Sequence, residues 1–143
     1  MERLAVPGIL DSLTDIGAYV MQAAKEAGFE QKTAYKLRLA VDEIATNVIT
    51  HGYEEAGLVG EVWLEATIDA TALTLTLEDS GLPYEPDMDV IPDSITQPLD
   101  QRPIGGLGIF LTVRSVDEFR YEQLENGNRY IFVMNLPSTT SEK

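Results

Sequence analysis

At Gly60 the hydrophobic period of this 143-residue chain changes from helical spacing to strict alternation. Before that point Leu13, Ile16, Val20, Ala23 and Ala24 recur on one helical face until Gly28, with Ser12 as N-cap and Asp15 as its acidic partner. A second helix is predicted from about Gln31 to about Thr50. Its stripe is Leu37, Val41, Ile44 and Val48, and it ends before His51-Gly52. After Gly60, "EVWLEATI" and "ALTLTLE" alternate apolar and polar residues on either side of Asp69-Ala70-Thr71, as an antiparallel hairpin does. A third helix follows from about Gly108 to about Val116. Two more strands, "EFRYEQL" and "RYIFVMNL", flank the turn Glu125-Asn126-Gly127-Asn128, and "ERLAV" at residues 2 to 6 reads as a short edge strand. The order β-α-α-β-β-loop-α-β-β predicts an α+β fold, a two-layer α/β sandwich with helices on one face of a mostly antiparallel mixed sheet. One domain over residues 1–137 and a disordered tail at 138–143 are expected.

Composition removes several classes of function. The chain has no cysteine and one histidine, which excludes disulfides, thiol catalysis and a histidine-rich zinc site. Its 24 acidic and 10 basic residues give a formal net charge of −14. Such a surface repels phosphate backbones and anionic lipids, so neither nucleic acid nor membrane is an expected partner. No apolar run reaches the ~20 residues that span a bilayer. The opening "MERLAVPGIL" is too short and too charged for a signal peptide, so a cytoplasmic protein with protein partners is expected.

Three stretches carry chemistry. In "DEIATNVITHG", Glu43, Asn47 and His51 follow one another at four-residue intervals along an edge of the apolar stripe. A glutamate there can act as a base, and an asparagine oxygen is a hard neutral ligand suited to Mg²⁺. In "LEDSGLPYEP", Asp79 ends an apolar strand and Gly81 follows. An aspartate so placed can accept from an exocyclic amine, with glycine letting a flat ring approach. In "RPIGGLGIFL", Gly105, Gly106 and Gly108 precede an apolar helix, an arrangement that aims N–H groups at an anion. Each alone has a plain alternative: a solvated helix border, a turn, a hinge. Their joint occurrence in this order is hard to reach by chance. Between the second and third lie residues 80 to 104, with five of the seven prolines and no period, a connection of the length that is usually functional or mobile.

The ordered set resembles the Bergerat-fold (GHKL) ATPases, the superfamily of gyrase, Hsp90 chaperones, histidine kinases and MutL. Within it the chain is most similar to the small stand-alone branch, the anti-sigma-factor serine/threonine kinases. "LAVDEIATNVITHGY", "EDSGLPYEP" and "RPIGGLGIFLTVRSVDEFRY" match that branch's three ATP-binding boxes, and the likeness covers residues 3 to 136. The resemblance implies ATP and Mg²⁺ as ligands, Glu43 as general base and Asn47 as metal ligand. It implies that Asp79 accepts from the adenine amine, with Gly81 beneath the base. It further implies a lid over about residues 84–104, and phosphate contacts from Gly105, Gly106, Leu107, Gly108 and Ile109, with Arg102 as a possible phosphate partner. His51 is expected to be structural.

The absence of a phosphoacceptor-histidine helix argues against a histidine kinase, and the length argues against a gyrase or Hsp90 type of machine. The leading expectation is therefore a bacterial regulatory kinase. It would phosphorylate a serine or threonine on an anti-sigma-factor antagonist and sequester a sigma factor, as a homodimer. The alternative is a non-catalytic module in which ATP gates protein binding. Glu43 favours the enzyme, since a pure switch needs no base.

Overall fold

The computed structural model describes residues 1–82 and 115–137. Strand β1 (Leu4–Pro7) leads through a short 3₁₀ turn (Leu10–Ser12) into helix α1 (Leu13–Glu26). Helix α2 (Gln31–Asn47) continues without a break into a π-helical segment (Val48–Glu54). Strands β2 (Glu61–Ile68), β3 (Ala72–Asp79), β4 (Glu118–Leu124) and β5 (Gly127–Asn135) follow. The sheet order is β1-β2-β3-β5-β4, and every pairing among the described residues is antiparallel. The α+β two-layer architecture thus stands, while the expected mixed character of the sheet is absent from these strands.

Both helices turn their apolar stripes to the sheet. Ile16, Val20, Ala23, Leu37, Val41 and Ile44 are buried against Leu64, Leu73, Leu75, Leu77, Tyr130 and Phe132. Each large side chain so buried contributes about 1.5–3 kcal/mol relative to exposure. Gly28 ends α1 with φ 88°, a left-handed conformation that favours glycine, while Phe29 N–H returns to Ala24 O at 3.0 Å. On the sheet's other face Arg129 bridges Glu78 and Glu122 at 2.8 and 3.0 Å, and Arg3 lies 5.5 Å from the centre of the Trp63 ring.

Three local expectations are corrected. Ser12 does not cap α1: its hydroxyl donates to Pro7 O at 2.7 Å, and its backbone is already helical. The second helix does not stop before His51-Gly52 but widens there, with Glu55 N–H reaching back five residues to Thr50 O at 2.9 Å. Gly52 O is taken instead by Leu82 N–H at 3.2 Å, so the tertiary contact draws that carbonyl out of the helical ladder. The last strand starts at Gly127, two residues before the expected Arg129, because Gly127 and Asn128 pair with Leu124 and Gln123 across a two-residue turn.

Candidate functional site

Period two decides where Asp79 points. It lies on the same face of β3 as Leu73, Leu75 and Leu77, the face that packs against the helices, and it ends that line as a carboxylate only 3% exposed. Its Oδ1 accepts from Gly81 N–H at 2.8 Å and from Asn128 Nδ2 at 3.0 Å. Its Oδ2 is buried and has no partner among the described residues. Burial pushes the Asp79 carboxyl above the usual aspartate range, with the Asn128 and Gly81 hydrogen bonds opposing it. A buried carboxylate oxygen with an open lone pair is costly, and the cost is relieved when a donor fills the position.

The helix end is held close to this carboxylate. A Cβ added at Gly81 would come within 2.7 Å of Gly52 O, so the two backbones meet at a separation that only glycine at position 81 permits. Tyr53, on the same segment, is buried; its hydroxyl donates to Glu61 O at 2.7 Å and accepts from Ser80 N–H at 2.8 Å. One phenol therefore ties the π-helical turn to the start of β2 and to the residue after Asp79.

Along the helix from this junction the polar row is most deeply buried at its middle member. His51 is exposed and sits 2.9 Å from Glu55, Asn47 is 7% exposed, and Glu43 is half-buried. Asn47 Nδ2 donates to Glu43 Oε2 at 3.4 Å. Desolvation pushes the Glu43 carboxyl up, against that one weak bond. Because the amide nitrogen turns to Glu43, the amide oxygen is the atom Asn47 can offer a cation. Among the described residues no group of three or more His, Asp or Glu side chains could hold a metal unaided. An ion beside Asn47 would take its remaining ligands from phosphate oxygens and water, the usual habit of Mg²⁺.

A family described as the histidine kinase-like ATPase domain matches residues 6–134. The chain belongs to this family. Proteins similar to it include the serine-protein kinases RsbW of Bacillus thuringiensis (strain Al Hakam) and Bacillus anthracis, each 23% identical over 121 residues, 82% of this chain and 74% of the relative. Among solved structures, the RsbU and RsbW domains of Rv1364c from Mycobacterium tuberculosis align with a TM-score of 0.61 at 14% identity, over 95% of this chain. This chain spans 33% of that protein's length. The histidine kinase domain of the Erythrobacter litoralis EL346 blue-light activated kinase aligns with a TM-score of 0.55 at 18% identity, over 88% of this chain and 60% of that one. At such identities the structures speak for the fold alone. The resemblance to the GHKL superfamily and its anti-sigma kinase branch is borne out by the family match together with the RsbW relatives.

Within this ATPase-family fold, Asp79 and Gly81 come together with Gly52 at one end, and Glu43 joins Asn47 on the helix. Arg102, Gly105, Gly106, Leu107, Gly108, Ile109, the lid at 84–104 and nearly all of the expected third helix lie outside the described residues. Two participants escaped sequence reasoning. Tyr53 has no polar periodicity to mark it, and Asn128 reads as part of a turn signal. The available hint for Asn128 was its register: counting back from the buried Tyr130 in steps of two puts it on the inward face. No described helix is long and apolar enough to cross a membrane.

Proposed function

We propose that the chain is an ATP-dependent serine/threonine protein kinase of the anti-sigma type, with Asp79 as the adenine-recognising residue. The observation that carries this reading is the buried Oδ2 of Asp79, an acceptor with no donor among the described residues, at the end of a strand of inward-facing leucines. The exocyclic amine of adenine supplies the missing donor, and Gly81 leaves room for the ring.

Glu43 is the base in this reading. Its raised pKa suits it to take the proton of a serine or threonine hydroxyl, whose oxygen then forms the new bond to the γ-phosphorus as the bond to the bridging oxygen of ADP breaks. Asn47 would hold Mg²⁺ through its amide oxygen, and the bound metal would supply charge neutralisation at the phosphates. The Asn47 amide nitrogen also steadies the Glu43 carboxylate. Gly105, Gly106, Leu107, Gly108, Ile109 and Arg102 remain the proposed phosphate contacts, and residues 84–104 the proposed lid. The RsbW relatives are named as serine-protein kinases. By the family resemblance we extend to this chain an anti-sigma-factor antagonist as phosphoacceptor, a sigma factor as the sequestered partner, a homodimeric state and a bacterial cytoplasm.

Calorimetric titration of ATP and ADP, with and without Mg²⁺, tests the nucleotide site. Metal-dependent ATP binding that an Asp79→Asn variant loses by roughly a hundredfold would support it, since a buried acceptor turned into a donor opposes the amine. Absence of ATP binding to the wild type at millimolar concentration would overturn it.

A further inference from the structure

Asn128 is fully buried, with 0% exposure, although it is polar and stands beside a hairpin turn. Its amide nitrogen lies 3.0 Å from Asp79 Oδ1, 3.4 Å from Gly81 O and 3.3 Å from Leu82 O. Its amide oxygen accepts from the Tyr121 hydroxyl at 2.5 Å. These partners settle the amide's orientation. Flipped, the amide oxygen would face a carboxylate and two carbonyls, four centres of like polarity with no hydrogen among them. Tyr121 is in turn seated on Tyr130, with ring centroids 5.2 Å apart. Gly127 presses the same corner together: a Cβ there would collide with the Asp79 carbonyl.

The result is an asymmetric carboxylate. Oδ1 receives two donors from the protein, and Oδ2 receives none among the described residues. We propose that Asn128, oriented by Tyr121, is a positioning residue that fixes Asp79 with Oδ2 as its one open acceptor, and so makes the pocket select a 6-amino over a 6-oxo purine. The inference rests on the nucleotide reading above and deepens it. A carboxylate held by only one donor is freer to rotate and to take up a proton on Oδ2. Protonated there, it would donate, and a donor suits the 6-oxo group instead. Asn128 opposes both changes, because its bond favours the charged form against the desolvation that pushes the other way.

The test pairs two nucleotides with a readout that needs none. ATP and inosine triphosphate, which differ in the 6-substituent, are titrated into wild type, Tyr121→Phe and Asn128→Leu. The Asp79 carboxyl-carbon resonance is followed against pH in the ligand-free proteins. Asn128→Leu should weaken ATP by roughly tenfold to a hundredfold with little change for inosine triphosphate, and Tyr121→Phe by a few-fold in the same direction. In both variants the Asp79 titration should move to higher pH. A purely structural role would weaken both nucleotides alike and leave that titration in place, which would overturn the proposal. Should Asn128→Leu fail to fold, Tyr121→Phe decides the matter, since it removes a single hydroxyl. If the titration moves in the variants while the wild type binds neither nucleotide, the positioning of Asp79 is upheld and the nucleotide reading with its purine selection is overturned.

Discussion

The two ends of the polar site are built to different standards. Around Asp79 five hydrogen bonds, made by Gly81, Asn128, Gly52 and twice by Tyr53, lock strand end, turn and helix together at 2.7 to 3.2 Å. Along α2, Glu43 and Asn47 share one contact at 3.4 Å, and burial falls off from the asparagine to the glutamate. One end is preorganised before any ligand arrives; the other leaves its lone pairs to be completed by what binds. A flat base is recognised best by fixed groups, because a displaced acceptor loses both strength and selectivity. In the proposed reading a transferring phosphate with its ion would bring ligands of its own, so the protein would need to supply few.

The largest expected effect comes from breaking the looser end. Glu43→Gln keeps the size and loses the carboxylate proposed as base. Phosphotransfer to a serine-containing acceptor should fall by about 10²–10⁴, while ATP affinity stays within a few-fold. Single-turnover transfer of labelled γ-phosphate, set beside a binding isotherm, measures both. If transfer persists at the wild-type rate, Glu43 is not the base. Should the variant bind ATP and still regulate its partner, the nucleotide-gated module becomes the better account.

A middle-sized effect tests the rigid end. Gly127→Ala drives a methyl group into the Asp79 carbonyl, an overpacking expected to cost about 1–3 kcal/mol and to weaken ATP binding with it. Gly28→Ala is the matched control. Nothing lies within 4 Å of its Cβ, but its φ of 88° is unfavourable for alanine, so it should cost about 1 kcal/mol and leave ATP affinity alone. Equal losses of ATP affinity in the two variants would mean that the corner around Asp79 has no special rigidity. Urea denaturation and nucleotide titration of both proteins provide the comparison.

The same contrast explains what the sequence could disclose. Glu43, Asn47 and Asp79 were legible because each is a polar residue in a periodic apolar setting, and a period of 3.6 or 2 says which way it points. The two described helices and the strands are legible for the same reason, down to the Asp69-Ala70-Thr71 turn and the Gly28 stop. What escaped depends on partners far away in the chain. Gly52 looked like a helix terminator because its carbonyl's true partner, Leu82, is thirty residues on. Asn128 looked like turn chemistry because the carboxylate it serves is 49 residues earlier, on another strand. Ser12 looked like a cap because nothing local reveals that its hydroxyl has Pro7 O within reach. Local pattern reports which residues are out of place; only the register of the sheet reports whom they meet.

The smallest effect concerns pH, and its sign separates the two kinds of carboxylate. Asp79 and Glu43 have folded-state pKa values above their ordinary ones, because burial disfavours their charge. For such groups the folded protein binds the proton more tightly than the unfolded chain does. Their contribution to stability is therefore greatest below the unfolded pKa and is lost as pH rises through the raised folded value. Asp69 works in the opposite sense. Hydrogen bonds from the Thr71 and Ala72 N–H groups hold its pKa down, so it supports the hairpin at neutral pH and ceases to do so as pH falls through that lowered value. Asp79→Asn removes a buried charge and keeps an oxygen for the two Oδ1 donors. It should therefore be as stable as wild type or slightly more so at pH 7, with the advantage shrinking as pH falls and the wild-type carboxyl takes up its proton. Asp69→Asn should be less stable than wild type at pH 7, and that deficit should close only at more acidic pH. Thermal unfolding of the three proteins across this range reads both trends. If Asp79→Asn is instead destabilised at neutral pH, the carboxylate has a donor already, and the open acceptor on which the rigid end was argued is not there.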